Sequence, residues 1–231
     1  MNRQVQVEKY AYRGWCVMTT IVVMSLDRIQ TNYSLYTTKI VENGAAICED
    51  IAITTNASII AQNKIIPFKA GLAEGYKVYF DLAAYPFFQH IHATITAQDE
   101  KCGVLRFRRS GENNELVGDL FVLTLLFGTM EQVHVTLREL AGKKHMIVQC
   151  KFGENVMAHI EFTTSEQERI EFEFSSPQYI LEFDSAEMVP NSPYKGPQYH
   201  IDCILKFAVE MDDILLGKLR RIEQMVGGEC V

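Results

Sequence analysis

The stretch that decides the fold is residues 51–82, IAITTNASIIAQNKIIPFKAGLAEGYKVYFDL. Residues 51–55 are apolar and rich in β-branched side chains, which predicts a short buried strand. Residues 59–74 carry apolar side chains at helical spacing, and Gly75 follows them as a residue suited to a helix C-terminus. Residues 77–82 form the next apolar run. Strand, helix and strand in about 30 residues predict a βαβ unit with two parallel strands.

The flanking sequence predicts a second kind of sheet. Before the βαβ unit, residues 16–24 are nearly continuously apolar, which indicates a strand buried on both faces. After it, short runs in which apolar and polar side chains alternate predict a mostly antiparallel sheet with one solvent-exposed face. These runs are residues 103–109, 133–140, 146–152, 157–163, 170–174 and 179–183. An apolar stripe over residues 199–225 predicts one long helix that covers the sheet.

The expected fold class is therefore α/β combined with α+β. A partial Rossmann-like parallel sheet comes first, and a large, mostly antiparallel sheet covered by helices follows it. In a chain of 231 residues, we expect a shortened Rossmann-like domain at residues 1–98. We expect an antiparallel-sheet domain, of the substrate-binding or dimerisation type, at residues 99–231.

Composition narrows the classes of function. The chain has 22 basic and 29 acidic residues, a formal net charge of -7, so it repels a phosphate backbone. The basic run Arg106, Arg108 and Arg109 alternates with apolar residues as the outer face of a strand does. We expect no nucleic acid and no membrane among the partners, since the apolar run 17–26 is too short to cross a bilayer. Six cysteines without close spacing favour a reducing cytoplasm.

Two strings carry a resemblance to a known family. Residues 71–81, GLAEGYKVYFD, match a passage that leads into a glutamate-lysine-proline turn, and residues 118–128, GDLFVLTLLFG, match a helix that bears a histidine and two aspartates. In this order and spacing the chain resembles the glucose-fructose oxidoreductase and inositol dehydrogenase family, over about residues 45–226. The resemblance implies a nicotinamide-cofactor domain followed by a sheet-built substrate domain.

The chain differs from the family at the positions that the family uses for catalysis. Leu82 occupies the position of the active-site lysine, and Asp81 that of the preceding glutamate. Gly118 and Phe121 occupy the positions of the helix histidine and second aspartate, which leaves Asp119. Leucine, glycine and phenylalanine cannot transfer a proton. The weak candidates for a residual catalytic group are Asp81, Asp119 and Tyr85.

The cofactor turn is also altered. Family members hold a nicotinamide cofactor on a glycine-rich turn after the first strand, where small residues let backbone amides approach the pyrophosphate. In this chain residues 23–28, VMSLDR, stand there instead. We therefore expect a shortened cofactor domain with no cofactor, and NAD(P) only if the chain is a working reductase.

These losses predict an oxidoreductase-like protein that has lost catalysis and acts as a binding or assembly subunit. By resemblance, association through the exposed face of the second-domain sheet implies a homodimer, or a heteromer with a related, active oxidoreductase. One alternative is an NAD(P)-dependent reductase of a small carbonyl or imine substrate, with Asp81, Tyr85 or Asp119 as proton donor. Another is a sensor of a small ligand.

Two further groups of side chains allow both a structural and a functional interpretation. His90 and His92 share a side only if their segment is extended, and no further ligand follows at a recognisable spacing, so no metal site is expected. Tyr85, Phe87 and Phe88 either line a substrate pocket or pack between the two predicted domains.

Overall fold

A computed structural model describes the parts of the chain that form two sheets and the helices beside them. The described residues are 20–24, 38–42, 64–68, 77–111, 116–140, 142–188 and 201–227. The strands are β1 (Thr20–Met24), β2 (Thr38–Glu42), β3 (Lys64–Pro67), β4 (Lys77–Tyr79), β5 (Cys102–Gly111), β6 (Met130–Leu140), β7 (Lys143–Phe152), β8 (Asn155–Thr164), β9 (Arg169–Ser175), β10 (Ile180–Asp184) and β11 (Val209–Glu210).

The helices connect and cover these strands. They are a 3-10 turn (Leu82–Ala84), α1 (Pro86–Thr96), α2 (Leu116–Phe127), α3 (Ser185–Met188), α4 (Ile201–Phe207) and α5 (Asp213–Gly227). Helix α2 is apolar on all sides, as expected of a helix enclosed by its neighbours, and it packs against α5. Helix α5 has one apolar stripe, formed by Leu215, Leu219, Ile222 and Val226, and also contacts β6.

The first sheet is mainly parallel. Its strand order is β11-β4-β3-β1-β2, and β1, β2, β3 and β4 all run in the same direction. The short strand β11, from the C-terminal part of the chain, pairs antiparallel with β4 and forms one edge. Parallel strands place their carboxyl ends on one side of the sheet, where open α/β folds carry their ligand sites.

The second sheet has six strands in the order β10-β9-β5-β8-β7-β6. Neighbours pair antiparallel except β5 and β8, which are parallel. All six strands predicted between residues 103 and 183 are present, with ends shifted by at most three residues. The alternation is also confirmed, since Leu105 and Phe107 are fully buried while Arg106 and Arg108 face solvent.

One predicted helix is wrong where the structure describes it. Lys64–Pro67 is strand β3, inside the helix predicted over residues 59–74. Two adjacent isoleucines favour a strand, and Pro67 both ends a helical hydrogen-bond pattern and pushes the residue before it to an extended conformation. The predicted strand over residues 51–55 lies outside the described residues, as does the turn 25–37 after β1.

The long helix predicted over residues 199–225 is also wrong in its middle. It is divided into α4 and α5 by β11, and Met211 between them is buried. The Asp212 carboxylate accepts a 2.7 Å hydrogen bond from the backbone N–H of Leu215, which is the N-terminal capping contact of a new helix. The apolar stripe thus continues from α4 to α5, although the capping contact of Asp212 starts a new helix between them.

The predicted fold class is confirmed: a partial Rossmann-like parallel sheet is followed by a larger, mostly antiparallel one. The division at residues 98 and 99 stays a prediction. Within the described ranges no helix combines the length and the apolar character that a membrane crossing requires.

Replacement of the α5 cap tests the account of the helix break. Asp212→Ala should lower the free energy of unfolding by about 1 kcal/mol, because the Leu215 N–H loses its acceptor at a helix start. Asp213→Ala, one residue into the first turn, should cost only a few tenths of a kcal/mol through the helix dipole. Urea denaturation of both variants measures the difference, and equal losses would argue against the cap.

Candidate functional site

The carboxyl ends of β3 and β4 are closed by aromatic side chains. The rings of Phe68 and Phe80 lie with centroids 4.9 Å apart, and Phe80 and Phe121 are 4.7 Å apart. All three residues are at least nine-tenths buried. Aromatic rings at these separations pack favourably and exclude water. The carboxyl ends of β3 and β4 are therefore covered by this aromatic stack.

Gly118 of α2 lies directly against the aromatic stack. A Cβ atom at this position would lie 3.1 Å from Cδ1 of Phe68 and 3.2 Å from Cδ1 of Phe80. Those distances are tighter than ordinary carbon contacts, so a larger side chain would have to displace the rings. At the position where the resemblance implies a histidine, a Cβ atom would therefore require Phe68 and Phe80 to shift by a few tenths of an ångström. Leu82, at the position of the lysine, is fully buried in the 3-10 turn.

A buried ion-pair cluster lies beside the stack and is centred on Arg109. Its Nη1 donates to both carboxylate oxygens of Asp119 at 2.8 Å. Its Nη2 donates to Oδ2 of Asp81 and, at 3.2 Å, to Oε1 of Glu168. One guanidinium thus pairs with three carboxylates. Arg109 is 3 % exposed and Asp119 is 0 % exposed.

Tyr85 completes the cluster. Its hydroxyl donates to Oδ2 of Asp81 at 3.1 Å and lies 3.3 Å from Oε1 of Glu168. Tyr85 is fully buried, and the side chains of Asp81 and Glu168 are 15 % and 11 % exposed. We call these five residues, Asp81, Tyr85, Arg109, Asp119 and Glu168, the Arg109 cluster.

Each member of the Arg109 cluster is placed by a different element. Strand β5 turns the side chain of Arg109 to its buried face. Asp81 directly precedes the 3-10 turn after β4, Asp119 lies in the first turn of α2, and Glu168 lies in the connection between β8 and β9. The cluster therefore joins the end of the parallel sheet to the six-stranded sheet and its helix.

Burial and neighbouring charges determine the protonation of this cluster. Burial raises the pKa of the Asp119 carboxyl to about 6, although Arg109 acts against that shift, and Asp81 and Glu168 add to it. Burial alone would lower the pKa of the Arg109 guanidinium, but the carboxylates of Asp119 and Asp81 raise it well above its usual range. Arg109 is therefore always charged, and the cluster takes up a proton at Asp119.

The structure brings together the three candidates that the sequence singled out. Asp81, Tyr85 and Asp119 lie in one cluster, but they are bound to Arg109 and Glu168, which sequence reasoning missed. Arg109 was expected on the outer face with Arg106 and Arg108, and that expectation is wrong. The signal was available in the alternation of β5, because Arg109 follows Leu105 and Phe107 at the buried positions.

The remaining side chains singled out by sequence lie away from the cluster or pack beside it. His90 and His92 are on helix α1, where residues two apart point in different directions, so the extended arrangement considered for them is wrong. Phe87 stacks on Phe183 of β10 at 3.5 Å between centroids, with ring planes 7° apart. This contact supports packing rather than a pocket wall.

Comparison with known proteins finds similarity of fold alone. No model of a known protein family matches the sequence, and no curated protein matches it. Among solved structures, GenD2 from gentamicin A biosynthesis, in complex with NAD, has a TM-score of 0.51 at 10% identity, over 96% of this chain and 90% of that one. Apo scyllo-inositol dehydrogenase from Lactobacillus casei has a TM-score of 0.50 at 9% identity, over 93% and 90%.

A shorter match is to a dehydrogenase from Chromobacterium violaceum, with a TM-score of 0.45 at 9% identity over 63% of this chain. It spans 53% of that protein. The first two matches support the resemblance drawn from the sequence at the level of fold, which is oxidoreductase-like. They also correct one expectation: a protein that shares this fold holds NAD, so the expectation of no cofactor is wrong.

Loss of the buried guanidinium should be far more costly than loss of an exposed one. Arg109→Met should lower the free energy of unfolding by about 3–5 kcal/mol, because it leaves buried carboxylates without their cation. Arg108→Met, on the next residue with a side chain 56% exposed, should cost less than about 1 kcal/mol. Urea denaturation of the two variants checks this, and similar losses would contradict the account of the cluster.

The raised pKa of Asp119 predicts an unusual dependence of stability on pH. A carboxyl whose folded pKa is about 6, above its ordinary 3.8, binds its proton more tightly in the folded chain. It therefore stabilises the fold at low pH, and this contribution is lost as the pH rises from about 4 to about 6. The unfolding free energy of wild type minus that of Asp119→Asn should decrease as the pH rises over that range and then level off.

Asp184 is the matched control for this titration. Its pKa is lowered, chiefly because Arg169 donates hydrogen bonds to its carboxylate. The unfolding free energy of wild type minus that of Asp184→Asn should therefore decrease as the pH drops through the acidic range. This is the opposite pH trend to that expected for Asp119. Urea unfolding at a series of pH values measures both, and the same pH trend for the two aspartates would be inconsistent with the burial of Asp119.

Proposed function

We propose that this chain is a catalytically silent relative of the NAD(P)-dependent dehydrogenases and works as a binding or assembly subunit. The observation that carries the proposal is the Arg109 cluster, in which all three candidate proton donors are bound. Membership of the glucose-fructose oxidoreductase and inositol dehydrogenase family is part of the same proposal. It is supported by the shared fold and by the strings at residues 71–81 and 118–128.

The proposed loss of proton transfer has two causes: the candidate groups are inaccessible to a substrate, and they are already bound to other side chains. A general acid or base must come within hydrogen-bond distance of the reacting atom of a substrate. Asp119 and Tyr85 are fully buried, and Asp81 is bound by Arg109 and Tyr85. On the other side, Phe68, Phe80 and Phe121 fill the space in front of Gly118. A substrate would have to displace either the rings or the ion pairs.

A relationship to NAD(P) belongs to the proposal. The parallel strands β1 to β4 fit a dinucleotide-binding frame, because such folds bind the coenzyme at the carboxyl ends of their strands. The coenzyme, when bound, supplies hydride transfer. The residues directly after β4 and beside it on α2 are aromatic and aliphatic, namely Phe80, Leu82 and Phe121, and none of them can move a proton.

The outer face of the six-stranded sheet is the surface we assign to assembly. Paired positions place Ile180, Val104 and Met157 in one row across β10, β9, β5 and β8, and these side chains are 62%, 45% and 56% exposed. Beside this row, Arg106 pairs with Glu173. An exposed apolar row next to paired charges is typical of a protein interface. We propose a homodimer, or a heteromer with a related oxidoreductase, through this face.

The second candidate is a working NAD(P)-dependent reductase. The specific observation in its favour is Asp119, because a carboxyl with a pKa of about 6 suits a general acid near neutral pH. It requires the Arg109 cluster to open and expose Asp119 to a substrate. The two candidates differ in whether the chain turns over reduced coenzyme.

A turnover assay separates them. Purified chain is mixed with NADH or NADPH and a panel of carbonyl and imine substrates, and the absorbance of the reduced coenzyme is followed. We expect no consumption above the rate without protein, and no change for Asp119→Asn. Turnover that falls at least about 100-fold in Asp119→Asn, the usual size of a general-acid contribution, would establish the reductase instead.

The assembly surface is tested by a charge placed in its apolar row. Wild-type chain should sediment at twice its 26.3 kDa mass, and Met157→Glu should sediment as a monomer, because a buried unpaired carboxylate opposes association. Ile214→Glu, on helix α5 with Ile214 69% exposed, is the matched control and should remain dimeric. A dimer that Met157→Glu leaves intact would exclude this face as its interface.

A further inference from the structure

A small apolar cleft lies between helices α1, α2 and α4 and strand β11, next to the aromatic stack, with which it shares Phe80 and Phe121. It has a volume of about 50 Å³. Its lining also includes Phe88, Val122, Leu125, Phe207 and Val209. Leu125 is 56% exposed and Val209 37% exposed, so the apolar surface continues out to solvent.

Two lysines lie beside residues that line this cleft or adjoin its lining. Nζ of Lys206 lies 5.2 Å from the ring centroid of Phe207. Nζ of Lys101 donates at 2.6 Å to the carbonyl of Leu126, the residue after Leu125. These charges stand out in a chain whose net charge is -7. Strand alternation directs Glu210 away from the side of Val209, so that carboxylate does not neutralise them.

His92 also lines the cleft. Its ring lies 5.5 Å from that of Phe207 and 6.4 Å from that of Phe88. Burial lowers the pKa of His92, and Lys206 and Lys101 lower it further, so the imidazole is neutral near pH 7. A neutral imidazole keeps one N–H that can donate to an anion.

The volume limits what the cleft can hold. An apolar cavity of roughly 150 Å³ accommodates a benzene ring, so a third of that volume accommodates about two carbon atoms of a chain. An aromatic ring or a sugar is too large for the space beside Phe121 and Val122. The tip of an aliphatic chain fits, with the rest of the ligand passing Leu125 toward the lysines.

We propose that the cleft between α1, α2, α4 and β11 binds a short aliphatic carboxylate. The end of the chain packs between Phe121 and Val122, and the carboxylate faces Lys206 and Lys101. The site requires neither coenzyme nor a partner chain. Because only a few carbon atoms are buried, the binding of a simple fatty acid is weak.

The test uses hexanoate as the probe and the full chain as the protein. Nuclear magnetic resonance follows the ring signals of His92 and the methyl signals of Leu125 during titration. Hexanoate should shift both with saturation. 1-Hexanol has the chain without the charge, and acetate has the charge without the chain. 1-Hexanol should bind at least about threefold more weakly, the factor expected for loss of one exposed ion pair. Acetate should also bind at least about threefold more weakly, because it buries no chain.

Two matched lysine variants test whether Lys206 contributes to the binding of the carboxylate. Lys206→Gln should weaken hexanoate binding about threefold, because it removes an exposed cation beside the cleft. Lys144→Gln, at the far end of the six-stranded sheet on β7, should leave the affinity unchanged. The proposal is overturned if hexanoate leaves His92 and Leu125 unshifted, if 1-hexanol binds as tightly, or if the two lysine variants behave alike.

Discussion

The interaction on which this structure depends is the pairing of one buried guanidinium with three carboxylates. Arg109 is 3 % exposed, and a charge at that depth is tolerated only when opposite charges and hydrogen bonds surround it. Asp81, Asp119 and Glu168 provide them from three separate segments. The cluster therefore fixes the end of the parallel sheet against α2 and the six-stranded sheet. It also binds Asp81, Tyr85 and Asp119, the three side chains that the sequence singled out as candidate proton donors.

Two changes of residue type act together at the position of the absent chemistry. The aromatic stack of Phe68, Phe80 and Phe121 packs closely against Gly118, which has no side chain. The ion pairs with Arg109 bind the carboxylates of Asp81 and Asp119. Under the proposed function, both features would have to change before a substrate could meet a free proton donor, and the contacts that stabilise the junction are the same ones that would close the site.

The sequence predicted the six-stranded sheet well, because a half-buried strand alternates with period two and its turns are short and polar. It failed at Lys64–Pro67 and at Asp212, where a proline and a capping side chain override an apolar pattern that also fits a helix. For the site, Asp81 and Asp119 were found from their positions in a resemblance, and Tyr85 from its place just after a predicted parallel strand. Arg109 could have been found from the alternation of β5, but Glu168 was missed because a contact between residues 59 positions apart leaves no local pattern.

The coupling free energy between Arg109 and Asp119 tests the central claim most directly. It is obtained from the unfolding free energies of wild type, Arg109→Met, Asp119→Asn and the double variant at neutral pH. A buried ion pair in which Nη1 of Arg109 contacts both carboxylate oxygens of Asp119 predicts a favourable coupling above about 1.5 kcal/mol. A coupling within experimental error of zero would show that the two side chains do not depend on each other, and would contradict this account.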